Sequence, residues 1–228
     1  MSRKEGRCLG LIGGLGPPAT VYYYRSIIAA HEARGYAARM LIAHADINRV
    51  RLTVEAKDYD GLARYLAKLI GDTKAGGAEL AAMVAITPHI CAPQLLPISP
   101  LPLIDIVTET ANAVRKQGHK RVALLGTRFT LETRMFGRLD GIDVVMPRPA
   151  EIDQIHDAYM NIVSGRSPAA QVSLLRELAH TFIKRDGAET VLLAGTDLST
   201  EFNEGNTDFP AIDCARLHVE AIVRQLLA

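Results

Sequence analysis

The sequence predicts an α/β protein made of two similar halves, each built around a mainly parallel sheet. One observation is a pair of apolar runs that end alike, LAAMVAITPH over Leu80–His89 and TVLLAGTDL over Thr190–Leu198. A second is the alternation of strand and helix patterns with short loops, which favours parallel strands joined by right-handed crossovers. With 228 residues, 48% of them hydrophobic, the chain can bury one large core or two smaller ones.

Composition argues against several classes of protein. A formal net charge of +1 gives no asymmetry that would attract nucleic acid or an anionic membrane. Cys8, Cys91 and Cys214 cannot all pair, and their spacing fits neither a disulfide framework nor a metal-binding knuckle. We therefore expect a reducing, cytoplasmic setting and no metal. No apolar run has membrane-spanning length or the form of a secretory signal.

The first predicted unit of structure is a strand at Cys8–Ile12, a glycine-rich turn and a helix over Ala19–Ala33. The glycines of the turn match a GxGxxA dinucleotide fingerprint, but the two prolines that follow them lack the N–H groups that a pyrophosphate cradle needs. Loop amides at Gly13 and Gly14 remain candidates for binding a smaller carboxylate. A tight turn that simply feeds the helix fits the residues equally well.

A second strand is predicted at Arg39–Ala45, with a cluster of polar loop residues just past its end. Ligands of open α/β sheets bind at the carboxyl ends of strands, so an arginine in this cluster is a candidate to hold a substrate carboxylate. We prefer Arg51 for this role, and Arg49 remains open, as does the alternative of solvated loop charges. Apolar spacing over Asp60–Ile70 then predicts a covering helix.

The run at Leu80–His89 changes abruptly from apolar residues to Thr87 and His89, which is where we expect a site. Four prolines after it predict an extended, irregular connection between the halves. They are Pro93, Pro97, Pro100 and Pro102.

The second half repeats the rhythm of the first. Its predicted elements are a helix at Ile104–Lys116, a strand at Arg121–Leu125, a short strand at Asp143–Met146, a helix within Ala150–Val163, a helix at Ala169–Arg185, a strand at Thr190–Ala194 and a final helix at Ala215–Leu227. Thr130 is positioned to cap a helix that begins at Leu131. The buried stripe of the long helix is predicted at Val172, Leu175, Ala179, Phe182 and Ile183. The final helix is expected to return and pack on the first half.

Five segments together resemble the aspartate/glutamate racemase superfamily, which includes hydantoin racemases, maleate isomerases and arylmalonate decarboxylases. They are GLIGGLGPPAT, TPH, LLGTRFTLE, LLAGTDL and DCARLHVEAIV. The resemblance spans nearly the whole chain and implies two pseudo-symmetric, three-layer α/β domains, here 1–103 with 209–228 and 104–208, with an active-site cleft between them. It also implies a small carboxylate substrate, no cofactor and a homodimer.

The family mechanism uses two groups to move a proton at the substrate Cα, and in most members both are cysteines. The two cysteine positions correspond here to Ala85 and Gly195, and neither residue has a titratable atom. The family asparagine that helps to hold a carboxylate corresponds to Ile86, which cannot hydrogen-bond through its side chain. A two-thiol racemase is therefore not expected from this chain.

Other groups must carry any chemistry. His89 is the leading candidate for general base or acid, because an unperturbed histidine titrates near neutral pH, although a histidine at a strand end often only orients a neighbour. Asp197 is a second candidate, if burial raises its pKa, or else it caps a turn. The wider set of catalytic candidates is Thr87, Thr196 and one of Tyr22, Tyr23 and Tyr24. The predicted substrate-binding residues are Gly13, Gly14, Arg51, Thr87, Thr127 and Thr196.

Two functions stay open at this stage. The first is a cofactor-independent enzyme with altered chemistry, because loss of both thiols enlarges the pocket and can favour isomerisation, elimination or decarboxylation over racemisation. Cys91 and Cys214 remain alternatives for a displaced thiol, although a free cysteine is more often a small buried residue. The second is a non-catalytic protein of the same fold that binds a small anion.

Overall fold

Two four-stranded parallel sheets organise the chain in the computed structural model, which describes residues 4–166, 169–203 and 205–228. Contacts divide the chain into two compact units, one running to Asp105 and including His218–Ala228, the other Ile106–Leu217. The first sheet has the order β2-β1-β3-β4 and the second β6-β5-β7-β8. The strands are β1 Lys4–Gly13, β2 Tyr36–His44, β3 Leu80–Met83, β4 Leu103–Ile104, β5 Arg121–Gly126, β6 Asp143–Val144, β7 Thr190–Ala194 and β8 Ala211–Asp213.

Helices flank both sheets, and within each unit the second strand in sequence lies outside the first, so both halves repeat one strand order. The helices are α1 Pro17–Glu32, α2 Ile47–Glu55, α3 Tyr59–Ala75, α4 Ala92–Leu95, α5 Ile106–Lys116, α6 Arg128–Glu132, α7 Pro149–Val163, α8 Ala169–Asp186 and α9 Cys214–Leu226. This architecture confirms the predicted α/β class with parallel sheets. Within the described ranges, no helix is long and apolar enough to cross a membrane.

The central strands are covered on both faces, which explains their apolar sequences. Every residue of β3 and of β7 is buried, as expected for parallel strands between two layers of helices. Helix α8 contributes Phe182, Ala179 and Leu175 to the core of the second unit, as predicted. Its stripe also includes Leu178, whereas the predicted Val172 and Ile183 are only partly buried.

The turn after β1 requires glycine at Gly14 for two reasons. Its φ of +79° lies in the left-handed region that side chains disfavour, and an added Cβ would lie 2.5 Å from the carbonyl oxygen of Ala45. The Thr20 hydroxyl closes the turn, because it accepts from the Gly14 N–H at 3.0 Å and donates to the Gly16 carbonyl at 2.8 Å. The glycine-rich motif is therefore built as a tight turn into α1.

Several local predictions were wrong, each for a physical reason. Ile104 ends strand β4, where it pairs with Ala82, and the helix begins only at Ile106. The four-proline segment contains α4 and a 3-10 turn, because Pro93 and Pro97 occupy first-turn positions where a missing N–H costs nothing. Strand β8 and helix α2 were not predicted from the sequence.

The predicted cap at Thr130 was also wrong. Helix α6 begins at Arg128, and its N-cap is Thr127, whose hydroxyl accepts from the Thr130 N–H at 3.2 Å. The two threonines lie three residues apart, so a helix start misplaced by three residues exchanges their roles.

Candidate active site

The candidate residues of the first unit follow β3, at the carboxyl end of a central strand. Val84 continues the buried run, and a 3-10 turn covers Thr87–Cys91. Ala85 and Thr87 keep partial exposure, whereas the intervening Ile86 is buried. The position of the expected first thiol thus carries a methyl group with no proton to exchange.

His89 lies inside this turn and is fully buried. Its Nδ1 is 2.9 Å from the Ala85 carbonyl oxygen, which can only accept, so Nδ1 carries the hydrogen. The backbone N–H of His89 also donates to the Ile86 carbonyl, at 2.9 Å. The imidazole therefore fixes the backbone of the residue that replaces the family thiol, and its predicted role as general base remains a prediction.

A second buried histidine lies in the same unit and was missed from the sequence. The Nε2–H of His218 in α9 donates to the Ile104 carbonyl at 2.8 Å, and its Nδ1 accepts from the Tyr23 hydroxyl at 2.9 Å. Burial lowers the pKa of His218 to about 3, although the Ile104 carbonyl favours the charged form. His218 is therefore neutral near pH 7. Its spacing of four residues from the buried Cys214 and Ile222 was the available clue.

The three tyrosines of α1 separate by burial. Tyr23 is fully buried and its hydroxyl donates to His218, Tyr22 is partly buried, and Tyr24 is 47% exposed. The Tyr23 ring also packs edge-on against the His218 ring, with centroids 5.6 Å apart. Of the three, Tyr23 thus holds α1 to α9 within the first unit.

The predicted carboxylate-binding groups near β1 and β2 have other partners. The Gly14 N–H donates to the Thr20 hydroxyl, and Gly13 is not in the loop but ends strand β1, where it pairs with His44 of β2. Arg51 lies on α2, not in a loop, and forms an exposed ion pair with Glu55 at 2.8 Å, one helical turn away. The expectation of polar loop residues past β2 was wrong, because Asp46 caps a helix there. The Arg49 guanidinium, on the same helix, lies 4.1 Å from the Tyr65 ring centroid.

The candidate residues of the second unit follow β7, where a 3-10 turn covers Thr196–Thr200. Thr196 and Asp197 are each about 1% exposed. The Asp197 carboxylate accepts a hydrogen bond from the Tyr159 hydroxyl, with 3.1 Å between the phenol oxygen and Oδ2. Tyr159 comes from α7, so this turn is held from a helix well before it in the sequence.

Tyr159 was not predicted from the sequence as a site residue, but its ring packs directly against Gly195. A Cβ added at Gly195 would lie 2.3 Å from Cε2 of its ring and 2.6 Å from Cζ, so the ring fills the space that any side chain at 195 would enter. Burial raises the pKa of Tyr159 well above its usual range, and the Asp197 carboxylate raises it further. The Asp197 N–H and the Thr196 hydroxyl donate to the phenol oxygen and oppose part of this rise. The phenol is therefore protonated near neutral pH and acts as a donor.

The loop and short helix that follow β5 contact a further titratable group, His156 of α7. The Thr127 hydroxyl lies 3.0 Å from the Thr130 hydroxyl besides capping α6, so this predicted substrate-binding group already has local partners. One turn before Tyr159 on α7, His156 accepts from the Arg128 N–H at Nδ1, at 3.3 Å. Burial lowers the pKa of His156, and the Arg128 charge lowers it further, so its imidazole is neutral near pH 7.

The three thiols are poorly suited to replace the absent cysteines. Burial raises the pKa of Cys91 and of Cys214 to about 12 and also raises that of Cys8. The Cys91 thiol donates to the Pro88 carbonyl at 3.2 Å. All three are protonated near neutral pH, whereas proton abstraction requires the thiolate. In the part of the chain that the structure describes, no cluster of three or more His, Cys, Asp or Glu side chains could hold a metal ion.

Comparison with known proteins agrees with the fold and the sequence motifs. The chain is similar to a putative Asp/Glu racemase from Yersinia pestis, with 25% identity and a TM-score of 0.84 over 97% of this chain and 100% of the other. It shares its fold with an aspartate racemase homologue from Pyrococcus horikoshii, at 23% identity, 96% and 98% coverage and a TM-score of 0.79. Glutamate racemase from Aquifex pyrophilus matches at 16% identity, 97% and 83% coverage and a TM-score of 0.62. The sequence profile of the Asp/Glu/hydantoin racemases matches residues 12–222, and the chain belongs to that family.

Proposed function

We propose that this protein is a cofactor-independent enzyme that acts on a small, amino-acid-like carboxylate by acid–base chemistry without cysteine. Family membership supports an enzyme of the racemase type. The two family thiol positions are Ala85 and Gly195, and the three cysteines present are protonated near neutral pH. The proposed reaction is therefore an isomerisation or a lyase reaction rather than racemisation by two thiols.

The observation that carries the proposal is the Asp197 carboxylate, which lies two residues from the expected second thiol and accepts a hydrogen bond from Tyr159. A carboxylate can remove a proton from a carbon next to a substrate carbonyl or carboxyl group and return it. At the first family position, Ala85 offers no such group, and His89 donates to the Ala85 carbonyl. Proton transfer is thus assigned to the second unit, with Thr196 as a candidate hydrogen-bonding group for substrate there.

A second candidate function rests on a different observation. Two of the polar groups near the family motifs are held within the fold: the Asp197 carboxylate by Tyr159 and the Gly14 amide by Thr20. A carboxylate held in this way can have a structural role alone, and the protein would then bind a small anion through other groups without catalysis. A homodimer in a cytoplasmic setting belongs to either function, and sedimentation of the purified protein tests the dimer.

The test is solvent exchange in heavy water with aspartate, glutamate, hydantoins, maleate and substituted malonates, followed by NMR. We expect deuterium to enter one of these substrates, or a rearranged or decarboxylated product to form. Asp197→Asn should abolish this reaction, and the matched control Asp72→Asn, which changes an exposed carboxylate paired with Lys68, should leave it unchanged.

Two results would contradict the enzyme. If Asp197→Asn and the wild type react at the same rate, Asp197 does not transfer the proton. If no compound reacts and one of them raises the melting temperature, the protein binds without catalysis, because a ligand that binds only the folded state stabilises it.

A further inference from the structure

The side chain of Tyr159 is the feature that the proposed function leaves unexplained. It is a buried phenol on α7, 6% exposed, whose hydroxyl reaches the turn that follows β7. Tyr159 is the only tyrosine after Tyr65 in the sequence. A phenylalanine would fill the same volume without a polar atom to satisfy, so the hydroxyl needs an explanation of its own.

The hydrogen bonds of this hydroxyl have a definite direction. Its single hydrogen is donated to Oδ2 of Asp197 at 3.1 Å, because a carboxylate can only accept. The Asp197 N–H and the Thr196 hydroxyl also act on the phenol, because both oppose the rise in its pKa that burial causes. The phenol therefore holds the carboxylate of Asp197 and lies next to the threonine that matches the family motif.

The ring has an equally specific position. It lies against Gly195, where a Cβ would come within 2.3 Å of Cε2 and 2.6 Å of Cζ. A cysteine at 195 and a tyrosine ring in this place exclude each other. The ring in this place therefore requires glycine at 195, and the glycine leaves the carboxylate at 197 as the nearest titratable group along the turn.

We propose that Tyr159 is a positioning residue, which acts through Asp197 by holding its carboxylate in the orientation needed for proton transfer. This inference rests on the proposed function for the proton transfer itself. A donor on Oδ2 fixes the rotation of the carboxylate, so that the oxygen used for the substrate proton is presented in one direction. Preorganisation of this kind raises turnover more than it raises substrate affinity.

The test compares Tyr159→Phe with Tyr59→Phe, a matched loss of a hydroxyl from a partly exposed tyrosine at the start of α3. With protein carrying ¹³C at its aspartate carboxyl carbons, Asp197→Asn identifies the Asp197 resonance by its disappearance. We expect that resonance to shift in Tyr159→Phe and to stay in place in Tyr59→Phe. On the substrate that reacts, Tyr159→Phe should lower kcat by roughly 10- to 100-fold, the range for one hydrogen bond to a charged group, with KM within about twofold.

The two parts of the test separate the possible failures. An unshifted Asp197 resonance, or a kcat within about twofold of the wild type, would overturn the role of Tyr159. A rise in KM at constant kcat would overturn it as well, because the hydroxyl would then contribute to binding. A wild type that reacts with no substrate would refute proton transfer by Asp197 together with the proposed function, while the resonance would still decide whether Tyr159 holds the carboxylate.

Discussion

Replacing Gly195 by alanine adds one methyl group at a point where the structure has no room for it. The new Cβ would lie 2.3 Å from Cε2 of Tyr159, which is roughly 1 Å closer than the shortest ordinary van der Waals contact of 3.4 Å. The ring cannot give way easily, because it is rigid and buried and its hydroxyl is bonded to Asp197. We therefore expect Gly195→Ala to be strongly destabilising.

Two contributions determine how much free energy of unfolding Gly195→Ala should lose. Forcing one extra methyl group into a packed core costs about 1–3 kcal/mol. Displacing the ring also weakens its hydrogen bond to a buried carboxylate, whose loss costs about 1–3 kcal/mol. Because relaxation relieves part of both, the expected loss in free energy of unfolding is about 3 kcal/mol.

The assay is urea unfolding followed by far-UV circular dichroism, since the chain has no tryptophan for fluorescence. Gly71→Ala is the matched control, because its Cβ would meet only Pro100, at 3.7 Å, inside helix α3. We expect that variant to be neutral or more stable by up to about 1 kcal/mol, the difference in helix propensity between glycine and alanine.

A double-mutant cycle tests whether the Tyr159 ring is the source of the destabilisation. In a Tyr159→Ala background the ring is gone, so the further change Gly195→Ala should cost less than about 0.5 kcal/mol. An equal cost in both backgrounds would show that the strain arises elsewhere. A cost below about 1 kcal/mol in the wild-type background would show that the ring does not occupy this space.

Three further predictions concern other parts of the fold. Thr20→Val keeps the shape of the side chain but removes the acceptor of the Gly14 N–H, so unfolding by urea should show a loss of about 1–2 kcal/mol, and an unchanged midpoint would contradict the hydrogen-bonded turn. The Cys91 and Cys214 thiols should react with a disulfide reagent at pH 7 only after unfolding, since burial raises the pKa of both to about 12; fast reaction of either thiol in a native Cys8→Ser variant would contradict this. His218 has a pKa of about 3 in the folded protein and about 6.5 when unfolded, so the unfolded state binds the proton first and stability falls as the pH drops from about 6.5 towards 3, by at most about 5 kcal/mol. His218→Gln should flatten that part of the stability profile, and an unchanged slope would show that another group causes it.

The elements that could be predicted from the sequence are those whose pattern is long and local. Strand β7 was predicted with its observed bounds, because four apolar residues between Thr190 and Gly195 leave little choice of where the strand begins and ends. The family was also identified correctly from its motifs. Strand β4 was missed because two residues carry no periodicity, and its pairing with Ala82 on β3 is decided by the sheet.

Helix α2 was missed because the residues at its start are mostly polar. Its N-cap Asp46 and the residues after it resemble a polar loop past a strand, although Val50 and Val54 lie four residues apart and are both buried. That spacing was the available evidence for a helix. The error affected the candidate site directly, because Arg51 was assigned to a loop and instead pairs with Glu55 along the helix.

The candidate site was only partly predictable, since its main contact joins residues distant in sequence. The turn at Gly195–Asp197 could be located from its strand, but nothing local indicates that Tyr159 packs on it from α7. The tyrosine lies on a buried helical stripe with Ile155 and Ile162, where sequence patterns predict a core residue. Its hydroxyl acquires a partner only when the helix is packed against the sheet.

In the proposed reaction, proton transfer depends on Asp197, and no second group replaces the thiol missing at Ala85. Deuterium incorporation from heavy water into a chiral substrate tests this proposal, with the two enantiomers separated and each analysed for deuterium. We expect deuterium in the starting enantiomer or in an isomerised or cleaved product, lost in Asp197→Asn, without formation of the opposite enantiomer. Deuterated opposite enantiomer formed as fast as exchange occurs would contradict it.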